Sequence, residues 1–243
     1  MESVSFEARV RAARMLAAIF AAAILGGCAT TTLTGAVDPP RYVVGDRWEY
    51  RVVDGLTPMA PVVTLDCEVI AVTPSNTLLR VTYNDARGAR QHIEELAPDA
   101  SVRIGSLGTS ETRSFEPPAR ELAFPLVQGE TWRQTLANVH ERDGSRGEVL
   151  LYGRVLGREP VTVSAGNYDA VVMYRIVQLD DEQFWRSRTE RRDQIWYSPK
   201  VKAVVREVRD GQYREKGQGI DSSYVRTEYT IYELVAFRPG AAS

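Results

Sequence analysis

The chain has 243 residues, enough for one large or two small domains, with 44% hydrophobic and 26% charged residues. That mixture excludes a disordered or collagen-like chain. A formal net charge of -2 excludes a whole-chain basic footprint for nucleic acid and strong electrostatic steering of a charged partner.

At the N-terminus Arg9, Arg11 and Arg14 precede an uncharged run from Met15 to Leu25. The run is shorter than the ~20 apolar residues of a membrane-spanning helix. A basic segment, a short apolar core and small residues before a cut form the pattern of a secretory signal helix. The stretch Leu25-Gly26-Gly27-Cys28 resembles the bacterial lipobox. That resemblance implies cleavage after Gly27 and acylation of Cys28, with Ala29 at the next position pointing to the outer membrane, facing the periplasm. The expected organisation is a signal peptide over 1–27, a flexible tether over 28–41 and a single β domain over 42–238. The tether reads ATTTLTGAVDPPR after the cysteine, small, polar and proline residues that cannot build a core.

From Tyr42 onward the pattern has period two. Trp48, Tyr50 and Val52 alternate with Glu49 and Arg51. In VVTLDCEVIAV, Val63, Leu65, Cys67 and Val69 share one face of a strand, which makes Cys67 a small buried apolar residue. Thr77 to Tyr83, Gly147 to Leu156, Tyr168 to Leu179, Ile195 to Tyr197, Val201 to Val208 and Tyr224 to Phe237 are rich in residues that suit strands. TPSN, NDARG, SAGN, LDDEQ and RDG between them are turn chemistry. Phe115–Pro125 carries three prolines and reads as a connecting loop. No segment after the leader holds a three-turn amphipathic helix, so the expectation is all-β, antiparallel, with about nine to eleven strands. Gly45/Trp48 and Gly129/Trp132 repeat a Gly-x-x-Trp, each followed by a Val-apolar pair, Val69-Ile70 and Val155-Leu156. Two sheet halves, each opened by a glycine turn and a core tryptophan, would explain this.

Two later segments depart from simple alternation. Ser187–Gln194, SRTERRDQ, is polar on both parities and reads as a strand wet on both sides or an edge blunted by charge. In the last strand the apolar parity switches, and a bulge near Ile231–Glu233 would explain it.

Signs of catalysis are sparse. His92 and His140 lack a second ligand at metal spacing, and no H-E-x-x-H, G-x-S-x-G or phosphate-binding glycine loop is present. His140 with Glu141 and Asp143 reads as a solvated turn, and Asp180-Asp181-Glu182 as an acidic hairpin tip. Arg186, Arg188, Arg191 and Arg192 are diluted by Glu182, Glu190 and Asp193, so a cross-strand charge ladder is expected. No catalytic residue, metal ligand or cofactor is assigned. The aromatic residues Trp48, Tyr50, Trp132, Tyr174, Trp185 and Trp196 remain, as core anchors or as the lining of a pocket.

Glu159–Ile176, EPVTVSAGNYDAVVMYRI, and Gln194–Val208, QIWYSPKVKAVVREV, are similar to motifs of uncharacterised bacterial envelope proteins of the TapB-like kind. That group looks related to the LolA/LolB-like lipoprotein-carrier superfamily. Gly45-Asp46-Arg47-Trp48-Glu49-Tyr50 matches the group's early G-D-x-W-x-Y. The resemblance implies an open antiparallel half-barrel and a non-catalytic, membrane-anchored lipoprotein. Such a protein would bind an apolar ligand, an acyl chain or a lipoprotein, on its concave face, with Phe115–Pro125 as a cover. An envelope scaffold that holds a partner protein by a sheet edge or face is the alternative. Apart from the membrane, reached through Cys28, the expected partner is that ligand or protein, and not nucleic acid.

Overall fold

The computed structural model describes residues 30–57, 59–108, 111–216 and 223–241; Gly27 and Cys28 lie outside them. Twelve antiparallel strands follow one another in order: β1 (Arg47–Asp54), β2 (Val63–Val72), β3 (Thr77–Asp85), β4 (Gly88–Leu96), β5 (Val102–Gly105), β6 (Arg113–Ala119), β7 (Thr131–His140), β8 (Arg146–Val163), β9 (Gly166–Gln178), β10 (Glu190–Ser198), β11 (Ala203–Arg214) and β12 (Tyr224–Arg238). Each strand pairs with its sequence neighbours, and β12 returns to β1 from Arg47↔Arg238 to Asp54↔Thr230. The sheet is therefore a closed barrel, not the open half-barrel that the resemblance implied. Closure satisfies the backbone groups an open edge would expose.

In such a meander the odd-to-even connections share one end of the barrel and the even-to-odd connections share the other. The segment before β1 meets the second end, and it is not free. Thr31 and Arg158 exchange backbone hydrogen bonds of 2.6 and 2.9 Å, and Val37 and Leu126 exchange bonds of 3.0 and 2.8 Å. Leu33 and Val37 are buried. The expected tether is thus docked from Thr31 to Val37. Gly157 makes this possible: its φ of +152° and the approach of the Thr31 carbonyl leave no room for a Cβ.

The glycine–tryptophan repeat is real in three dimensions. Asp46 N–H donates to Val43 O, as Glu130 N–H does to Val127 O. Gly45 and Val69 then make the same pair of bonds (Gly45 N to Val69 O, Val69 N to Asp46 O) that Gly129, Val155 and Glu130 make in the second half. Trp132 lies directly over Gly153, its register partner.

Phe115–Pro125 is not wholly a loop, because Arg113–Ala119 forms β6. Its pairing with β7 stops at Glu116, since Pro117 and Pro118 have no N–H to continue the ladder. The bulge expected near Ile231–Glu233 falls at Val235, which the β1 register skips between Leu234 and Ala236.

One side of the interior is packed. Phe115, Leu126, Trp132, Leu136, Val149, Leu151, Met173 and Val177 form a continuous buried cluster across β6–β9. A second cluster forms where the β8–β9 hairpin overhangs β10–β12. There Val161, Val163, Tyr168, Ala170 and Val172 meet Trp196, Val205 and Leu234, and Ala165 N–H donates to Leu234 O.

Candidate functional site

Opposite the packed side, the interior between β1–β5 and β10–β12 is incompletely filled. A deep cavity of about 210 Å³ is lined by Tyr42, Trp48, Tyr50, Leu79, Glu94, Leu96, Phe124, Ile195 and Tyr197, among others. A middle cavity of about 170 Å³ shares Tyr50, Cys67, Glu94, Glu121, Val204 and Glu207 with it. A third hollow of about 360 Å³, lined by Arg90, Gln91 and His92, joins the middle one through Tyr83, Ser106, Gly108 and Tyr232. Shared walls make these three a channel along the barrel. Of the expected cover, only Glu121, Leu122 and Phe124, from the β6–β7 connection, line its deep end.

A buried ionic network forms the wall on the β9–β11 side. Arg175, Asp193 and Arg209 stand opposite one another in register, so all three project to the same face. Arg175 reaches Asp193 at 2.7 Å, Glu207 at 2.8 Å and Glu121 at 2.8 Å. Arg191 holds the other oxygen of Asp193 at 2.9 Å, and Arg209 forks onto both oxygens of Glu207 at 3.0 Å. Burial alone would raise the Asp193 pKa, but Arg191, Arg175 and Arg209 overcome it and hold the carboxyl at about 2. Burial likewise opposes ionisation of Glu207, and Arg209 and Arg175 pull its pKa below the usual value.

The network also anchors the β5–β6 loop. Arg191 donates to Leu107 O at 2.7 Å, and Arg209 to Gly108 O at 3.2 Å. Leu107 is buried with φ +45°. Gly108 has φ +70°, and a Cβ there would strike the Arg209 guanidinium.

Ser187–Gln194 is thus neither wet on both sides nor a charged edge, because β10 is paired on both sides, and the expected cross-strand charge pairing is present but buried. Arg191 and Asp193 are buried, while Arg192 faces out. Their partners lie on β9 and β11, and nothing local in the sequence announces them. His140 is not a solvated turn residue either. Its ring nitrogens sit 3.0 Å from Glu111 and 3.1 Å from Asp180, and Asp180 also takes Arg113 at 2.6 Å. The Asp180 side chain is largely covered, whereas Glu182 stays exposed at the tip.

Of the aromatic candidates, Trp48 and Tyr50 reach the channel. The Trp48 indole donates to Val201 O at 2.7 Å and the Tyr50 hydroxyl to Val204 O at 2.9 Å. Trp132 belongs to the packed side and donates to Arg120 O at 2.9 Å. Trp196 lies in the overhang cluster, bonded to Glu159. Tyr174 is half-buried on the face opposite Arg175. Trp185 is 42% exposed, edge-on to Tyr213, and so is not a core residue. Sequence reasoning missed Tyr42, Tyr83, Glu94, Glu121 and the arginine network. Cys67, expected to be simply buried, is half-buried and lines the channel. Burial pushes its thiol pKa up, which makes it a poor nucleophile.

A different surface collects apolar side chains. Leu56, Met59 and Val62 lie between β1 and β2, Phe184 and Trp185 between β9 and β10, and Tyr224 begins β12. Met59 and Phe184 are 95% and 91% exposed. These connections are odd-to-even, and β2-β1-β12-β11-β10-β9 are consecutive around the barrel. The residues form one arc of the rim, at the end away from the docked N-terminal segment.

No family model matches the chain, and no curated protein matches it significantly. Two solved structures are similar. One is a protein described as a lipoprotein from Parabacteroides distasonis, at 10% identity and TM-score 0.47, covering 85% of this chain and 100% of that one. The other is described as an exported protein with a YmcC-like fold, from Bacteroides fragilis, at 13% identity and TM-score 0.46, covering 84% of this chain and 100% of that one.

Proposed function

We propose that this protein is a non-catalytic lipoprotein of the bacterial cell envelope whose closed barrel binds a small ligand with an apolar body inside its channel. The envelope assignment rests on the leader and the Leu25–Cys28 motif, and the outer membrane with periplasmic orientation on Ala29 after the cysteine. The ligand assignment rests on one observation: a channel walled by Tyr42, Tyr50, Leu79, Leu96 and Phe124 lies beside an otherwise tightly packed core. Protein interiors hold few voids, and a cavity of about 150 Å³ already admits benzene. Mostly apolar walls with a few placed polar groups are the usual composition of ligand sites.

Fluorescence of the neutral dye N-phenyl-1-naphthylamine tests this reading. Saturable, one-site enhancement is expected, lost in Val204→Trp, where the indole fills the space shared by the two inner cavities. No saturable binding by the wild-type protein would refute it.

A scaffold role is the second reading, and the rim arc of Leu56, Met59, Phe184, Trp185 and Tyr224 favours it. Contiguous exposed apolar patches mark protein or membrane contacts. Under this reading Phe184→Ser with Met59→Ser abolishes capture of an envelope partner and leaves dye binding unchanged.

A further inference from the structure

Resting on the channel reading, we propose that the ligand is a small organic cation, an ammonium head on a short apolar body, with Glu94 as the counter-charge. Arg175, Arg191 and Arg209 are matched by Glu121, Asp193 and Glu207 at 2.7 to 3.0 Å. Lys202, at the deep end, is matched by Asp46 at 2.6 Å. Glu94 also lines both inner cavities, yet among the described residues no arginine or lysine pairs with it. Its Oε1 accepts from Ser106 N, Ser106 Oγ and His92 Nε2, each at 3.1 Å. Its Oε2 makes no hydrogen bond among the described residues. A carboxylate in a confined site favours a cation over a neutral or anionic guest.

An independent mark comes from Tyr197. Its side chain lines the deep cavity and the residue is only 2% exposed. Its hydroxyl has no hydrogen-bond partner among the described residues, although Phe124 packs edge-on against its ring at 5.3 Å. That hydroxyl is not fully enclosed, so an occupant of the cavity can bond it. An ammonium carries up to three donors and no acceptor, so Glu94 Oε2 and the Tyr197 hydroxyl oxygen can both accept from it. The Tyr50 ring shares the same cavity and adds an electron-rich face of the kind that attracts cations. Leu79, Leu96 and Phe124 in that cavity receive the apolar part. The Arg209 guanidinium does not compete, because it is held by Glu207, Gly108 O and the Tyr232 hydroxyl.

Isothermal titration of the purified full chain at pH 7 with hexylamine (protonated at this pH), hexan-1-ol and hexanoate decides the point. The expected order is hexylammonium over hexanol by at least about tenfold, with hexanoate weakest; hydrogen bonds to a charged group are strong enough for that margin. In Glu94→Gln the advantage of hexylammonium over hexanol disappears. Should this variant fail to fold, the wild-type order alone settles the matter. Hexanol or hexanoate binding as tightly as hexylammonium overturns the cation assignment and leaves the channel reading standing. Failure of all three to bind, together with failure of the neutral dye, overturns both.

Discussion

Arg175 on β9 and Asp193 on β10 face each other across the barrel wall at 2.7 Å, with side chains 2% and 0% exposed. Asp193 also carries Arg191, so one carboxylate bridges two buried guanidinium groups. Removing one partner of a buried pair leaves an uncompensated charge and typically costs about 3–5 kcal/mol. Asp193→Ala is expected to destabilise the protein by about that much in chemical denaturation. Asp193→Asn, which keeps the hydrogen-bonding shape, should cost less. The loss should be accompanied by faster proteolysis of the β5–β6 loop, because Arg191 holds Leu107 O.

The same network sets the acid limit. The Asp193 carboxyl is held at about 2 and that of Glu207 below its usual value, against about 3.9 and 4.3 in an unfolded chain. Groups with depressed folded-state pKa values contribute stability that is complete above the unfolded values and is lost as pH falls through the folded ones. Thermal melts should therefore be level with respect to these two groups above about pH 5 and fall steeply between about pH 4 and 2. In Asp193→Asn the fall should be shallower. An unchanged pH profile in that variant would separate the acid limit from this network.

How far the chain declares this structure is clear from particular residues. Period-two alternation and turn chemistry announce an all-β domain, and Gly45/Trp48 with Gly129/Trp132 announce its two matching turns. Closure is hidden, because β1 and β12 meet from opposite ends of the chain and neither carries a local mark of its partner. Arg191 and Asp193 read as solvated because their compensating charges, Arg175, Glu207 and Arg209, lie on neighbouring strands. Glu94 and Tyr197 look ordinary in sequence, since only the register places them on one cavity wall. The docked segment is hidden for a simpler reason. Leu33 and Val37 are isolated apolar residues among threonines and prolines, and the groups that hold them, Gln128 and Leu126, lie far along the chain between β6 and β7.

The tryptophans separate by position. Trp48, Trp132 and Trp196 are buried and each indole N–H is bonded. Replacing any one by Ala should cost about 3–5 kcal/mol and lower the melting temperature clearly. Trp185→Ala, on the exposed rim, should change stability by no more than about 0.5 kcal/mol.

Cys28→Ala should release the protein from membranes or leave the leader uncleaved. A single acyl chain anchors only marginally, and stable anchoring takes a second signal. Metabolic labelling with palmitate checks this: wild type takes up label in the membrane fraction and the variant does not. Labelling of the variant at the wild-type level would remove Cys28 as the anchor point.

Whether the channel is the binding site is read out by methyl NMR during titration with N-phenyl-1-naphthylamine. The account predicts saturable shifts at Leu79, Leu96 and Val204, which line the inner cavities, and none at Val149 and Leu151 on the packed side. Shifts confined to Leu56, Met59 and Val62 on the rim, or no shifts at the highest dye concentration, would refute it.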